Sequence, residues 1–282
     1  MKYTRIISRL DIKGPNLVKG IHMEGLRVLG KPEDFARYYY ENGIDELMYQ
    51  DVVASLYQRN SLLKIIEKTA NAISIPLTVG GGIRTLKDIS NLLECGADKV
   101  SINTSAIKNP NIIEEAAKIF GSSTIVVAIE TSKDSNGTHL AFTDNGREFT
   151  GIETLKWAKE MENRGAGEIF LTSIDKDGTG EGFDNEIISL VSEKVTIPVI
   201  AHGGAGNKED VVNVIKEGKA DAVAISSLLH YNAINKIKFN PVNEQEGNLE
   251  FINAKKKFKK FSLSSVGSLK RSLIKNKISI RV

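Results

Sequence analysis

Residues 75–103 read IPLTVGGGIRTLKDISNLLECGADKVSIN, and residues 197–226 read IPVIAHGGAGNKEDVVNVIKEGKADAVAIS. Each stretch predicts a short buried strand, a glycine-rich turn, an amphipathic helix and a second buried strand, which together form a βαβ unit. The two stretches align with each other, and Pro76 corresponds to Pro198 at an offset of 122 residues. The chain therefore contains an internal duplication.

The same alternation of strands and helices continues along most of the chain. Eight strands connected by helices predict right-handed crossovers and a parallel sheet, and eight is the number of strands that closes a barrel of this length. We therefore predict an α/β protein, a (β/α)₈ TIM barrel built from two duplicated half-barrels. The predicted strands are 5–11, 46–51, 76–81, 98–103, 124–130, 168–174, 197–203 and 221–226, and the predicted helices are 32–42, 60–73, 85–95, 109–120, 152–164, 184–193 and 207–217.

Two tracts interrupt this alternation. Residues 138–151 contain Asp-Asn-Gly between alternating side chains, which predicts a β-hairpin after the fifth strand. Residues 231–262 are far longer than a usual connection and predict an insertion before the last helix. The predicted organisation is thus a barrel body over 1–230, the insertion, and a C-terminal helix with a basic tail over 263–282.

Composition excludes several classes of protein. No run approaches the roughly 18 apolar residues of a membrane span, and charges interrupt the N-terminal apolar runs, which argues against a signal peptide. Cys95 is the one cysteine among 282 residues, so no disulfide framework is expected. Ten of the 38 basic residues lie in 254–282, which leaves 28 against 35 acidic residues. We expect a soluble cytoplasmic protein that binds neither nucleic acid nor metal, because the tail has few stacking aromatics and the four histidines lack ligand spacing.

Two glycine clusters follow the third and seventh predicted strands, and each opens a helix. Glycine lets the backbone approach a phosphate, and the free N–H groups at the helix start bind the anion. Two such sites on one face predict a substrate that carries a phosphate at each end, whereas glycines that serve only tight turns are the alternative. The candidate phosphate-binding residues are Gly81, Gly82, Asn103 and Thr104 in the first half and Gly203, Gly204, Ser226 and Ser227 in the second.

Two carboxylates occupy equivalent positions in the two halves. Asp11 ends the first predicted strand and Glu130 ends the fifth, 119 residues later, on the opposite side of an eight-stranded ring. At that rim, a carboxylate is placed to transfer protons to and from a substrate, although capping of the following loop is the structural alternative. Asp51, Asp175 and Asp177 follow neighbouring strands and are candidates to hold substrate hydroxyl groups.

Charged residues also recur at the other end of the predicted barrel. Four of them stand near the N-terminal ends of strands one, two, four and six, where two cations and two anions would form a ring across the barrel floor. Such a ring would gate the barrel axis, whereas ordinary surface ion pairs, which stabilise little, are the alternative. These four residues are Arg5, Glu46, Lys99 and Glu168.

The chain resembles the cyclase subunit of imidazole glycerol phosphate synthase, an ammonia-using enzyme of histidine biosynthesis. The resemblance runs from about residue 3 to residue 230 and resumes in the last helix. It is carried by the segments RIISRLDIK, LVKG, GIDEL, TVGGGIR, GADKVSINT, RGAGEIFLTSIDKDGT and AHGGAG.

This resemblance implies a function for each of these features. A glutaminase partner would dock on the N-terminal face near Asp98 and release ammonia through the charged gate. A ribulosyl formimino aminoimidazole carboxamide ribonucleotide would bind on the other face by its two phosphates. Asp11 and the residue at position 130 would move protons while the imidazole ring closes, and Lys19, in a flexible first loop, would help to bind the substrate. No cofactor is implied.

Two departures from the family pattern leave alternatives open. Position 130 is Asp in the histidine enzymes but Glu here, and position 9, usually small, is Arg9, for which Glu130 is a candidate partner. One alternative is a paralogue that delivers ammonia, with a glutaminase and a sugar amidotransferase, for acetamidino modification of a surface-glycan sugar. The other is a non-catalytic scaffold that activates a glutaminase.

Overall fold

A computed structural model describes residues 3–54, 61–237 and 260–281. Eight parallel strands form a closed ring in the order β1-β4-β5-β6-β7-β10-β11-β12, and β12 pairs with β1 to complete it. This confirms the predicted (β/α)₈ barrel. In chain order the strands are β1 Arg5–Lys13, β2 Asn16–Ile21, β3 Glu24–Gly30, β4 Glu46–Asp51, β5 Leu77–Gly80, β6 Lys99–Ile102, β7 Ile125–Lys133, β8 His139–Thr143, β9 Glu148–Glu153, β10 Glu168–Ser173, β11 Val199–His202 and β12 Ala222–Ile225.

Helices follow the barrel strands and surround the ring. Each predicted helix is present, and two short helices that the sequence reading did not predict follow β6 and β12. The helices are α1 Pro32–Glu41, α2 Ser61–Ala70, α3 Leu86–Glu94, α4 Thr104–Lys108, α5 Asn111–Phe120, α6 Thr154–Asn163, α7 Asn185–Ser192, α8 Lys208–Lys216, α9 Ser227–Ala233 and α10 Val266–Lys275. No helix within the described residues is both long enough and apolar enough to cross a membrane.

Each half-barrel carries an antiparallel hairpin on its first strand. The predicted hairpin is confirmed as β8–β9, which extends from β7. A second hairpin, β2–β3, extends from β1 and pairs Asp11 with Val18. Lys19 lies within β2, so the segment expected to be a loop forms a strand of this hairpin, and its flexibility stays a prediction. The turn signal was missed since His22 and Met23, not Gly or Asn, adopt positive φ there.

The helix starts after the two glycine clusters are built in the same way. Thr85 caps α3 by accepting from the backbone N–H of Asp88, and the Asp88 side chain accepts from the Thr85 N–H in return. Asn207 and Asp210 form the equivalent box at α8. A capping box satisfies two N–H groups that would otherwise be unpaired and fixes where the helix begins. Both glycine turns therefore have a defined geometry.

The core has two layers. The larger layer lies between the strands and the helices, with Phe35 and Tyr39 among its largest buried side chains. A smaller apolar layer fills the barrel interior and includes Ile7, Met48 and Phe170. Because side chains alternate along a strand, Arg5, Ile7, Arg9 and Asp11 of β1 share the interior side.

The barrel body, insertion and tail remain a predicted organisation. The helix α9 ends at Ala233, within the range assigned to the insertion, and most of that insertion, residues 238–259, lies outside the described residues. The last helix, α10, contacts α8 of the barrel, so residues after the insertion contribute to the helical layer.

Candidate active site

A cavity of about 370 Å³ opens at the C-terminal end of the first half-barrel. Backbone of the first glycine turn, the start of α4 and the turn of the β8–β9 hairpin form its walls. The cavity therefore brings together most of the first-half residues predicted to bind phosphate with one of the two predicted catalytic acids. These lining residues include Asp51, Gly81, Gly82, Asn103, Thr104, Glu130, Asp144 and Asn145.

Close backbone approach explains the glycine at position 81. Its φ is +101°, and a Cβ placed there would lie 2.4 Å from the carbonyl oxygen of Asp51. Gly203 repeats this arrangement in the second half, with φ of +95° and a Cβ position 2.6 Å from the carbonyl oxygen of Ser173. Any other residue at these positions would be strained and would clash. The geometry of the turns alone therefore requires both glycines, whether or not the turns bind phosphate.

The equivalent pocket of the second half is nearly closed. It holds only about 10 Å³ between the second glycine turn, Ser226 and Ser227 on one side and Phe261 on the other. The Phe261 ring lies edge-on to Tyr231, with 5.3 Å between the ring centroids, and the N–H of Ser262 donates to the carbonyl of Gly206 at 2.8 Å. The segment that follows the insertion therefore covers the second glycine turn.

Asp11 is buried and bound by two cations. Its Oδ1 accepts from Nε of Arg9 at 2.8 Å, and its Oδ2 lies 3.4 Å from Nζ of Lys19. Burial alone raises the pKa of this carboxyl, but the neighbouring Arg9 and Lys19 together bring the pKa below its ordinary value. Asp11 is thus ionised over the whole neutral range.

Glu130 has the opposite environment. Its Oε2 accepts from the backbone N–H of Gly146 at 2.8 Å, and burial raises its pKa to about 7 despite the opposing charge of Arg9. The expected pairing of Glu130 with Arg9 was wrong, because the Arg9 guanidinium turns along its own strand to Asp11, two residues away on the same face. Glu130 is thus a carboxylic acid that titrates near neutral pH.

The turns of the two hairpins meet. Asn145, in the β8–β9 turn, donates from Nδ2 to the carbonyl of Met23 in the β2–β3 turn at 3.0 Å. The Met23 N–H in turn lies 3.3 Å from Oδ2 of Asp177. The two hairpins therefore connect the rim of the first cavity to that of the second pocket.

The structure separates the acids predicted after β10. Asp175 is exposed and accepts from Ser132 Oγ and from the N–H of Lys133, at the end of β7. It does not line the two pockets beside the glycine turns, and its contact with substrate stays a prediction. Asp177 is buried, lines the second pocket and binds Nζ of Lys19 at 2.8 Å.

Four residues of this region were not identified from the sequence. Arg84 and Lys108 line the first cavity and supply positive charge beside its glycine turn. A basic residue two positions after the glycine cluster was the available signal for Arg84. Thr172 and His202 lie beside Arg9 within the barrel, and their interior positions on β10 and β11 were the available signal.

The barrel floor has the predicted ring of charges. Arg5 Nη1 lies 3.0 Å from Glu46 and 2.9 Å from Glu168, and Lys99 Nζ lies 3.1 Å from Glu168 and 4.0 Å from Glu46. The four side chains thus alternate in sign around the axis. Exposed Asp98, at the same end, accepts from the N–H of Leu77 at 2.8 Å. Gating by the ring and partner binding by Asp98 stay predictions.

No group of three or more His, Cys, Asp or Glu side chains in the described part of the chain is arranged to hold a metal ion.

Comparison with known proteins identifies the family. Residues 5–235 match the family described as histidine biosynthesis protein. The chain belongs to this family. It is 55% identical to imidazole glycerol phosphate synthase subunit HisF of Legionella pneumophila over 210 residues, which cover 74% of this chain and 99% of that protein.

Proteins described as the same subunit in two further organisms are also similar to this chain. The subunit HisF of Alkaliphilus metalliredigens is 45% identical over 230 residues, which cover 82% of this chain and 91% of the relative. That of Methanococcus vannielii is 45% identical over 256 residues, which cover 83% and 94%. The resemblance inferred from the sequence motifs is confirmed.

Proposed function

We propose that this protein is the cyclase subunit of an imidazole glycerol phosphate synthase. It would use ammonia to convert the bisphosphorylated ribulosyl substrate into imidazole glycerol phosphate and aminoimidazole carboxamide ribotide, in the cytoplasm. One observation carries the proposal: two equivalent buried carboxyl groups, at β1 and β7, have pKa values shifted in opposite directions, below the ordinary value for Asp11 beside its two cations and up to about 7 for Glu130.

Such a pair fits a reaction that needs both a proton acceptor and a proton donor. Ammonia adds to the ribulosyl carbonyl with loss of water, and ring closure then releases the ribotide. Asp11 would accept protons from nitrogen as the new bonds form, and Glu130 would donate to the leaving groups. The Gly81–Gly82 turn, with Arg84 and Lys108 beside it, would hold one phosphate.

The floor ring supports a glutaminase partner at the N-terminal end. Ammonia that enters there would pass Arg5, Glu46, Lys99 and Glu168 before it reaches the apolar interior layer. A neutral molecule crosses such an apolar layer more easily than an ion, because burying an unpaired charge is costly. Asp98 lies at the same end and is a candidate contact with the partner.

The test is turnover of the ribulosyl substrate by the purified protein with an ammonium salt and without a partner. We expect turnover that Asp11→Asn abolishes and that the exposed control Glu115→Gln retains. If the protein stimulates a glutaminase but does not turn over the substrate, the proposed cyclase function is wrong.

The second glycine pocket provides a test of the alternative function inferred from the sequence. The second glycine pocket holds about 10 Å³ beneath Phe261, too little for a phosphate group, so a substrate with two phosphates would have to displace this ring. A subunit that only delivers ammonia, with a glutaminase and a sugar amidotransferase, would need no second phosphate site. Glutamine-dependent amidation of a sugar by the three proteins together, without turnover of the ribulosyl substrate, would identify this function.

A further inference from the structure

Arg9 occupies an unusual position inside the barrel. Its side chain is 3% exposed, and the centre of its guanidinium lies 5.7 Å from the centroid of the Phe170 ring, in the apolar interior layer. A buried guanidinium is costly unless it is paired and hydrogen-bonded. The contacts that satisfy Arg9 therefore indicate what it does.

Those contacts form part of a closed circuit of buried polar groups. From Arg9, Nε reaches Asp11 at 2.8 Å, and Asp11 lies 3.4 Å from Lys19. Lys19 binds Asp177 at 2.8 Å, which lies 3.9 Å from His202, and His202 lies 3.2 Å from Nη1 of Arg9. Two cations and two carboxylates cancel in charge, so the circuit is balanced when His202 is neutral.

The circuit defines the state of His202. The guanidinium of Arg9 can only donate hydrogen bonds, so Nδ1 of His202 must accept and its proton must lie on Nε2. Burial, with the nearby Arg9 and Lys19, lowers the pKa of His202 well below its usual value. Thr172 Oγ1, 3.3 Å from both the Arg9 guanidinium and His202 Nδ1, completes the support of the guanidinium.

The backbone of Arg9 is fixed as well. Its carbonyl oxygen accepts from Ser226 Oγ at 2.8 Å and lies 2.9 Å from His230 Nε2. His230 is held in turn by Tyr39, whose hydroxyl is 2.6 Å from His230 Nδ1. Residues of β10, β11 and the start of helix α9 thus fix both ends of Arg9, and Nε is the guanidinium nitrogen that contacts Asp11.

We propose that Arg9 is a positioning residue for Asp11: it fixes this carboxylate in one orientation on the rim and keeps it an ionised proton acceptor. The proposal rests on the proposed function only for its kinetic readout. Around Asp11, the charged or titratable groups are Arg9 of β1, Lys19 of β2, Asp177 of the β10–α7 loop, His202 of β11 and His230 of α9. Glu130 of β7 faces Arg9 from across the ring.

Arg9→Gln removes the positive charge but keeps an N–H donor. Arg9→Lys keeps the charge but loses the planar guanidinium and the fixed directions of its N–H donors. For Arg9→Gln we expect the acidic limb of the pH profile of kcat/KM to move to higher pH by about one unit or more. The reason is that an opposite charge at this distance lowers a carboxyl pKa by that amount. For Arg9→Lys we expect the limb to stay and kcat to fall by about 100-fold, since misplacement by about 1 Å has that effect. In both, KM should change by less than about threefold.

A control and a direct measurement make the result decisive. Arg164→Gln, at a surface ion pair with Glu160, should leave the profile unchanged. NMR titration of protein labelled with ¹³C at the aspartate carboxyl, with Asp11→Asn to assign the signal, reports the Asp11 carboxyl without any turnover. An unchanged Asp11 titration in Arg9→Gln overturns the proposal, even if the cyclase function stands.

The opposite combination is also informative. If the wild-type protein turns over no ribulosyl substrate but Arg9→Gln raises the Asp11 titration, the proposed function fails and the role of Arg9 stands. Should Arg9→Gln not fold, His202→Ala tests the same circuit: it removes one support of the guanidinium, and we expect a smaller change of the Asp11 titration in the same direction. No change in His202→Ala would then contradict the proposal.

Discussion

The two half-barrels carry the same elements in different states. In the first half, the glycine turn opens onto a cavity of about 370 Å³, whereas in the second half the equivalent turn is covered by Phe261 and only about 10 Å³ remains. The carboxyls differ too, since Asp11 has two cationic neighbours while Glu130 accepts a hydrogen bond from the backbone N–H of Gly146. A duplicated backbone thus gives two sites with different cavities and different charge environments, and a few side chains make the difference.

The largest effect should come from loss of the ionised acid. Asp11→Asn keeps the size of the side chain but removes the proton acceptor, and it leaves Arg9 and Lys19 without their shared anion. We expect kcat with ammonium salts to fall on the order of 1,000-fold, within the range for general acid–base groups. Activity within tenfold of wild type would mean that the two acids do not have the unequal roles assigned here.

Glu130→Gln should cost about 100-fold in kcat and should change the pH profile. With its pKa at about 7, Glu130 is a neutral acid below that pH and ionises above it. Wild-type activity should therefore fall as pH rises through 7, and this alkaline limb should be absent in the variant. A limb that persists near pH 7 in Glu130→Gln would assign it to another group.

Protein stability gives a check of Glu130 that needs no substrate. Its folded pKa, about 7, lies above the ordinary 4.5, so between these values the unfolded chain ionises while the folded protein stays protonated. The free energy of unfolding should therefore decrease as pH rises from about 4.5 to 7, by on the order of 3 kcal/mol. Glu130→Gln should flatten this decrease in denaturant titrations, whereas Glu115→Gln, at an exposed residue, should not.

Removal of the ring that covers the second glycine pocket should allow that pocket to bind phosphate as the first cavity is proposed to do. Phe261→Ala removes the ring that covers the second glycine turn and its contact with Tyr231. If this ring competes with a phosphate group, the affinity for inorganic phosphate should rise by about fivefold, because less of the protein is in a closed form. Calorimetry of the variant against Phe149→Ala, at an exposed ring of β9, measures this, and equal affinities would contradict it.

The smallest effect should come from two hydroxyl groups, one beside each glycine pocket. Thr104 Oγ1 accepts from the N–H of Asp144, in the hairpin turn over the first cavity, whereas Ser226 Oγ donates to the Arg9 carbonyl, which His230 also contacts. We expect Thr104→Val to raise the substrate KM about threefold and Ser226→Ala to change it less, since one hydrogen bond contributes about 1 kcal/mol. A larger KM change in Ser226→Ala than in Thr104→Val would contradict the prediction that the first-half cavity contributes more to substrate binding.

The barrel could be predicted from the sequence because the duplication repeats the strands, glycine turns and helix-capping residues at a nearly constant spacing. Pro76 with Pro198, and the capping residues Thr85 and Asn207, recur at an offset of 122 residues. The same comparison could have found the missed β2–β3 hairpin, since the predicted hairpin at 138–151 lies at an offset of 119 from residues 19–32. Its turn lacks glycine, and local turn chemistry alone therefore gave no signal.

The details of the site could not be predicted because they depend on where side chains reach. Strand alternation placed Arg9 inside the barrel but did not distinguish Asp11, two residues away, from Glu130 across the ring. Likewise, Asp175 and Asp177 follow the same strand, and only the path of the loop decides which of them is buried. The closure of the second pocket depends on Phe261, which is distant in sequence and follows an insertion that has no counterpart in the first half.

Because each hairpin contacts the other half-barrel, neither half of the chain contains a complete pocket. The β8–β9 turn of the second half forms a wall of the first-half cavity, and the β2–β3 turn of the first half donates hydrogen bonds to Asp177 of the second half. Each half therefore supplies part of the pocket wall of the other half. If the chain were divided between α5 and β7, each half-barrel would lack one wall of its pocket, and a complete rim would exist only in the reassembled pair.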